Sequence, residues 1–259
     1  MNKAKLIVVA TPTRTFYGPS IHFYSALTQL RYPNNSASRH AYVVGLDVAE
    51  ARNSLVATAF SFENDRTEVG HIFWIDDDVI CHPHVLLRLM SHRKPIASGV
   101  YFTKNKVFSQ PLILPAPGGG MAEFIPNQLM EVWASGSGLT LVDMDVYRKL
   151  RSQVGVDAKG NPEYYKTTTG GGEYLGDMAY LGGTEDTYFC NLAKERLNVP
   201  TWVDTDSVAF GWHLDRETLQ GYPRPQFEQM QRGESVVWET SKGTITWACE
   251  TPKGISHAA

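Results

Sequence analysis

The chain has 259 residues, enough to bury a core without disulfide staples. Hydrophobic residues make up 42% and charged residues 20%, a globular balance, and no apolar stretch approaches the roughly 20 residues needed to span a bilayer. With 24 basic and 27 acidic residues the formal net charge is −3, which exerts no overall pull on nucleic acid but would hide a local basic patch.

Lys3 to Lys5 followed by the apolar run Leu6 to Ala10 superficially resembles a secretion signal. The run is short, however, and ends in Thr11-Pro12-Thr13-Arg14 rather than a small-residue cleavage site, so it predicts a first buried strand. In the segment from Val48 to Ser61, Val48, Arg52, Leu55, Val56 and Ala59 recur at helical spacing, and Asp47 can cap the start. His71 to Ile75 is a second buried strand, ending in Asp76, Asp77 and Asp78. Strand, helix, strand in that order argues for an α/β sheet whose ligands sit beyond the carboxyl ends of the strands.

A helix is expected from His84 to Ser91 after Pro83, and a strand from Ile96 to Tyr101. Phe108 to Phe124, with Gly118 to Gly120 at its centre, reads as a loop or hairpin region. Strands follow near Met130 to Trp133 and Leu139 to Val142, then a helix from Asp145 to Gln153. Gly155 to Gly176 contains Gly170, Gly171 and Gly172 and lacks periodicity, so it reads either as a lid over a site or as a solvated loop. A helix from Glu185 to Arg196 and a strand from Thr201 to Ser207 complete the regular elements, and the chain after His213 is expected to be an irregular tail. No internal repeat or low-complexity linker interrupts it, so one continuous domain over 1–259 is expected. Cys81, Cys190 and Cys249 are an odd, scattered set that cannot build a disulfide framework. A reducing compartment, the cytoplasm, is the expected location.

The acids at Asp76, Asp77 and Asp78 carry the chemistry. Carboxylates held side by side repel unless a cation or hydrogen bonds offset them. In Asp76-x-Asp78 both side chains can approach one divalent ion, and hard oxygen ligands suit Mg²⁺ or Mn²⁺ bridging a diphosphate. A polar strand end with capping aspartates is the alternative. P-loop hydrolases also place acids after a strand, but their G-x-x-x-x-G-K-[ST] loop is absent from this sequence. Cys81-His82-Pro83-His84 suggests zinc, yet no second spaced pair completes such a site.

Taken together, the Asp-x-Asp acids after a buried strand, the Thr11-Pro12-Thr13 strand exit and Gly183-Thr184-Glu185-Asp186 resemble GT-A glycosyltransferases across roughly residues 5 to 215. The segments Ala51 to Val56, Ser98 to Tyr101 and Gly136 to Leu139 are similar to small phage-type and family-two-like members. The resemblance implies a Rossmann-like α/β fold with a mixed, mostly parallel sheet flanked by helices. It divides the chain into a donor-binding half at about 1–105, an acceptor-side half at about 106–215 and a tail at 216–259.

The same resemblance implies a donor site formed by Thr11, Pro12, Thr13, Arg14, Arg52, Asp76 and Asp77, with Arg52 near the phosphates. Arg52 could instead form a surface salt bridge with Asp47 or Glu50 on its own helix. The implied metal ligands are Asp76, Asp78 and His213, where His213 could equally be a packed or surface residue. Glu185 and Asp186 match the family's acidic pair, with Asp186 as general base. Two acids at a helix start can also serve the macrodipole alone. Acceptor contacts are expected from Trp133, Ser135, Gly136 and Gly183.

The implied reaction is metal-dependent transfer of a sugar from a nucleotide-sugar, a UDP-sugar first, to an acceptor hydroxyl with inversion. Mn²⁺ or Mg²⁺ is the implied cofactor. The acceptor would be a glycan or, on the phage-type likeness, a hydroxymethylated pyrimidine in DNA, which would place the protein in a host cytoplasm. A DNA acceptor calls for a basic face, with Arg39, Arg93, Lys104, Lys106 and Lys166 as candidates. A metal-dependent phosphohydrolase and a non-catalytic nucleotide-sugar-binding protein are the competing classes. The sequence does not indicate an oligomeric state.

Overall fold

A computed structural model describes residues 4–13, 20–104, 109–116, 125–168, 183–215, 221–222, 224–232, 234–240 and 243–247. The amino-terminal part runs β1 (Ala4–Thr13), α1 (Ile21–Gln29), β2 (Ala37–Val44), α2 (Val48–Ser61), β3 (Thr67–Ile75), β4 (Val79–Cys81), α3 (Val85–Ser91) and β5 (Ile96–Gly99). There follow β6 (Ile113–Leu114), β7 (Leu129–Val132), β8 (Ala134–Ser135), β9 (Leu139–Asp143), α4 (Met144–Leu150), α5 (Glu185–Leu197) and β10 (Thr201–Asp204). A 3₁₀ turn at Ser207–Ala209 then leads to β11 (Gly211–Leu214), β12 (Gly221–Tyr222), α6 (Arg224–Gln231), β13 (Val236–Thr240) and β14 (Gly243–Trp247).

Seven strands form the main sheet in the order β2-β1-β3-β9-β5-β10-β7. β2, β1, β3, β5 and β10 run one way, while β9 and β7 run against them. Because successive strand residues point to opposite faces, β1 divides between two cores. Leu6, Val8 and Ala10 join the side chains of α2, α4 and α5 on one face. Ile7 and Val9 join Phe23 of α1 and Val85, Leu86 and Leu89 of α3 on the other. β3 does the same with Ile72 and Trp74 against Phe73 and Ile75. Near-continuous apolar runs were therefore the correct signature of strands covered on both faces.

The helix signals match the structure closely where capping is explicit. The Asp47 side chain accepts from the Ala49 N–H at 3.0 Å, and α2 ends at the same Ser61 that the periodicity predicts. α1 and β2 have no counterpart in the sequence reading. β2 is an edge strand with only Ala41 buried, so its alternation is too weak to register. The irregular tail is a correction: β11 pairs with both β4 and β12, α6 follows, and β13 and β14 form an antiparallel hairpin.

The solvated loop or lid at Gly155 to Gly176 also needs correction over its described part. Tyr164 and Tyr165 are buried, and the Asn53 side chain both donates to the Tyr165 carbonyl and accepts from its N–H, each at 2.9 Å. An amide that imitates a strand partner is invisible to hydrophobic periodicity. The triple glycine at Gly170 to Gly172 and that at Gly118 to Gly120 lie outside the described residues, as do Arg14, Lys106 and Cys249. Among the described residues no helix is long and apolar enough to cross a membrane.

Candidate functional site

A cavity of about 520 Å³ opens at the carboxyl ends of β1 and β3, lined by Pro12 and Thr13 from β1, Val48 and Ala51 from α2, and Asp76, Asp77 and Asp78 after β3. Thr103, Lys104, Glu185 and His213 complete its polar wall. Residues from the two ends of the chain thus meet at the edge where an open α/β sheet binds ligands.

The acids occupy a turn in which the Val79 N–H donates to the Asp76 carbonyl at 3.0 Å, and β9 runs antiparallel between β3 and β5 beside it. Its approach segment lies against the end of β3, where the Gly138 carbonyl accepts from the Asp76 N–H at 3.1 Å. A Cβ on Gly138 would come within 2.7 Å of Asp76 Oδ2, so glycine permits this close passage. The Tyr101 hydroxyl accepts from the Gly138 N–H at 2.9 Å and closes the other side.

Behind the acids lies Arg52, whose side chain keeps 1% of its exposure. It meets Asp76 Oδ1 at 3.0 Å, Glu185 Oε1 at 3.4 Å and Asp186 Oδ1 at 3.6 Å. This corrects the alternative of a surface salt bridge for Arg52. Asp47 caps α2 and Glu50 pairs with Lys159, so neither holds it, and its guanidinium is a buried counter-ion rather than a group lining the cavity. Burial of its charge is opposed by three carboxylates, which together hold its pKa well above the usual arginine value.

Asp186 is a carboxylate strongly shifted toward neutrality. Burial first, then the neighbouring Glu185, push its carboxyl up to about 7, against the pull of Arg52. Its side chain keeps 16% of its exposure, and Oδ1 has no hydrogen-bond partner among the described residues. Asp76 is also raised, by burial and by Asp78, against Arg52.

Asp78 moves the other way: although burial works to raise it, hydrogen bonds and charge from His213 and Lys104 hold it well below the usual carboxylate range. Lys104 Nζ is 2.5 Å from Asp78 Oδ2, and His213 Nε2 is 3.3 Å from Oδ1. Topology explains the histidine. β11 pairs antiparallel with β4, setting His213 opposite Val79, while the Leu214 N–H donates to the Asp78 carbonyl at 2.7 Å.

The ring of His213 bears on whether a divalent cation fits. Nδ1 lies 2.8 Å from the Phe102 carbonyl, which can only accept, so Nδ1 carries the proton. In a neutral ring Nε2 then presents its lone pair to the Asp78 carboxylate, an arrangement that calls for a proton or a metal ion between them. A backbone carbonyl orienting a histidine from behind is the usual support of a metal ligand. Asp78 and His213 thus fit a cation as a pair. Among the described residues no set of three His, Cys, Asp or Glu side chains converges on one point. Asp76 is turned to Arg52 instead.

The remaining expected residues are spread around this centre. Thr11 is buried with its hydroxyl 3.0 Å from His40 Nε2 and does not line the cavity. Trp133 is half-buried next to β8, and its backbone N–H donates to the Leu114 carbonyl. Ser135 and Gly136 are buried, with the Gly136 carbonyl accepting from Ser98 and Thr140. Gly183 exchanges hydrogen bonds with Thr168. None of these four lines the cavity among the described residues. Cys81 is packed in the core, its thiol pushed up to about 12 by burial, which is unlike a metal-binding thiolate.

Among the described residues, the basic side chains considered for a DNA face are not gathered. Arg39 stacks on Phe62, Lys166 pairs with Glu163, Lys104 is inside the cavity, and Arg93 precedes β5, at the end of that strand away from the cavity. Sequence reasoning missed Lys104 as a cavity residue, since a lone lysine on a loop carries no pattern.

No protein-family model matches this sequence, and no curated protein matches it. Among solved structures the chain is similar to A197 from STIV, with a TM-score of 0.51 and 15% identity, over 83% of this chain and 87% of that one. At that identity the likeness concerns the fold: the chain is an α/β protein of Rossmann-like architecture, with a seven-stranded, mostly parallel sheet flanked by helices.

Proposed function

We propose that this protein is a metal-dependent glycosyltransferase of the GT-A type that uses a nucleotide-sugar, a UDP-sugar first, as donor. The observation that carries the proposal is the meeting of Asp78 and His213 in the same cavity as Glu185, with Asp186 directly behind. Asp78 and His213 are the residues that would hold Mn²⁺ or Mg²⁺, with diphosphate oxygens and water supplying the other ligands, as is usual for these cations. When bound, the cation acts as a Lewis acid that stabilises the leaving diphosphate.

Asp186 is suited to remove the acceptor proton, because a base with a pKa near the working pH combines availability with driving force. Its Oδ1 makes no hydrogen bond among the described residues and faces Arg52 at 3.6 Å, and its side chain keeps 16% of its exposure next to Glu185 of the cavity wall. Arg52 keeps Asp76, Glu185 and Asp186 from repelling one another apart. Attack assisted by Asp186 on the face opposite the departing diphosphate inverts the sugar carbon.

The test is to incubate the protein with a panel of nucleotide-sugars, Mn²⁺ and acceptors, glycans and hydroxymethylated DNA among them, and to weigh the products. Transferred sugar that disappears in Asp78→Ala supports the proposal. Phosphate released from diverse esters without transfer would assign a hydrolase instead, and tight donor binding with neither product a binding protein.

A further inference from the structure

We infer that Lys104 exchanges partners during donor binding: its ammonium holds Asp78 until a diphosphate arrives, then moves to the diphosphate and leaves Asp78 to the divalent cation. This rests on the metal-dependent donor site proposed above. It adds that cation and diphosphate bind interdependently, with Lys104 as the residue that couples them.

Three features support the exchange. First, Lys104 Nζ sits 2.5 Å from Asp78 Oδ2, and Asp78 is the carboxylate that also faces His213. An ammonium on that carboxylate and a divalent ion on the same group would repel each other, so the two cations compete. Second, the place proposed for the diphosphate is within the same cavity. Lys104 lines the same cavity as Asp76, Asp77 and Asp78, its side chain retains 29% exposure, and a lysine is a flexible point charge able to follow a phosphate.

Third, the backbone need not move. The Thr103 N–H donates to the Gln110 carbonyl at 2.9 Å and Phe102 bridges to Pro111, so the chain is held up to the residue before Lys104 and a swing of its side chain suffices. Without diphosphate, the cation must displace Lys104 into solvent. With it, the displaced ammonium gains two negatively charged oxygens. By linkage, each ligand then strengthens the other by the same factor.

The experiment uses the full chain, Lys104→Met, which keeps the length and removes the charge, and Lys104→Arg, which keeps the charge. Binding of Mn²⁺ alone is counted by EPR, and binding of inorganic pyrophosphate with Mg²⁺ is measured by calorimetry. Lys104→Met is expected to bind Mn²⁺ alone roughly three- to tenfold more tightly and pyrophosphate with Mg²⁺ roughly three- to tenfold more weakly, as befits a partly screened ion pair. Lys104→Arg should stay within about twofold of wild type on both. The inference is overturned if Lys104→Met leaves either affinity unchanged or moves both in the same direction. Wild-type protein that binds neither probe would remove the donor-site proposal itself, and the exchange with it.

Discussion

Asp186 is a buried acid beside Glu185, and burial above all decides its behaviour with pH. Its carboxyl is raised to about 7 by burial and Glu185, so as a general base it gains its active, ionised form as pH rises. The rate of transfer should climb through about pH 7 and level off above it, and Asp186→Asn should lower kcat by roughly 10² to 10⁴ while donor affinity is kept. Stability runs in the opposite direction. A carboxyl raised from an ordinary unfolded value favours the fold while protonated and loses that advantage as pH rises through about 7. Asp186→Asn should therefore melt higher at pH 8, by about 1–3 kcal/mol, and near wild type at pH 4. An equal gain at both values would refute this origin of the shift.

Arg52 is the other residue whose role the environment sets. Removing it leaves Asp76, Glu185 and Asp186 facing one another without a buried counter-ion. Arg52→Met is expected to cost about 3–5 kcal/mol at pH 8 in urea unfolding, and less at pH 5, where the Asp186 carboxyl, raised to about 7, is protonated. A loss that did not depend on pH would point to packing against Trp74 and Tyr165 instead.

At the scale of elements, the backbone of the segment 163–168 is hydrogen-bonded to α2 through the Asn53 side chain. Asn53 makes two 2.9 Å hydrogen bonds to Tyr165, whose ring stacks on Phe189 of α5 at 4.7 Å. Asn53→Leu leaves a buried N–H and carbonyl unpaired, at about 1–3 kcal/mol each. Limited proteolysis should then cut within 155–168 well before the protein melts. If cleavage there tracked global unfolding in both proteins, the segment would not depend on Asn53.

For the whole molecule, β9 is decisive. It belongs by sequence to the expected acceptor side, yet it lies between β3 and β5 of the donor side. A fragment of residues 1–105 would lack the strand that joins its own sheet and would expose both apolar faces there. It should remain unfolded, with poorly dispersed amide signals by NMR, whereas the full chain should unfold in one cooperative transition. A well-dispersed spectrum from 1–105 would show that β9 is dispensable.

What the amino-acid order determined by itself was local. Buried strands declared themselves through the apolar runs at Leu6 to Ala10 and His71 to Ile75, α2 through Asp47 and its periodicity, and the acidic cluster through the improbability of three adjacent carboxylates without compensation. Only the tertiary structure decided which charges meet. That Arg52 lies beneath Asp76 and Asp186, that β11 delivers His213 to Asp78, and that Lys104 reaches the same carboxylate are all contacts between residues far apart in the chain. Spacing along a sequence reports which face of an element is apolar. It holds no record of distances between elements, and the pKa of each group here depends on those distances.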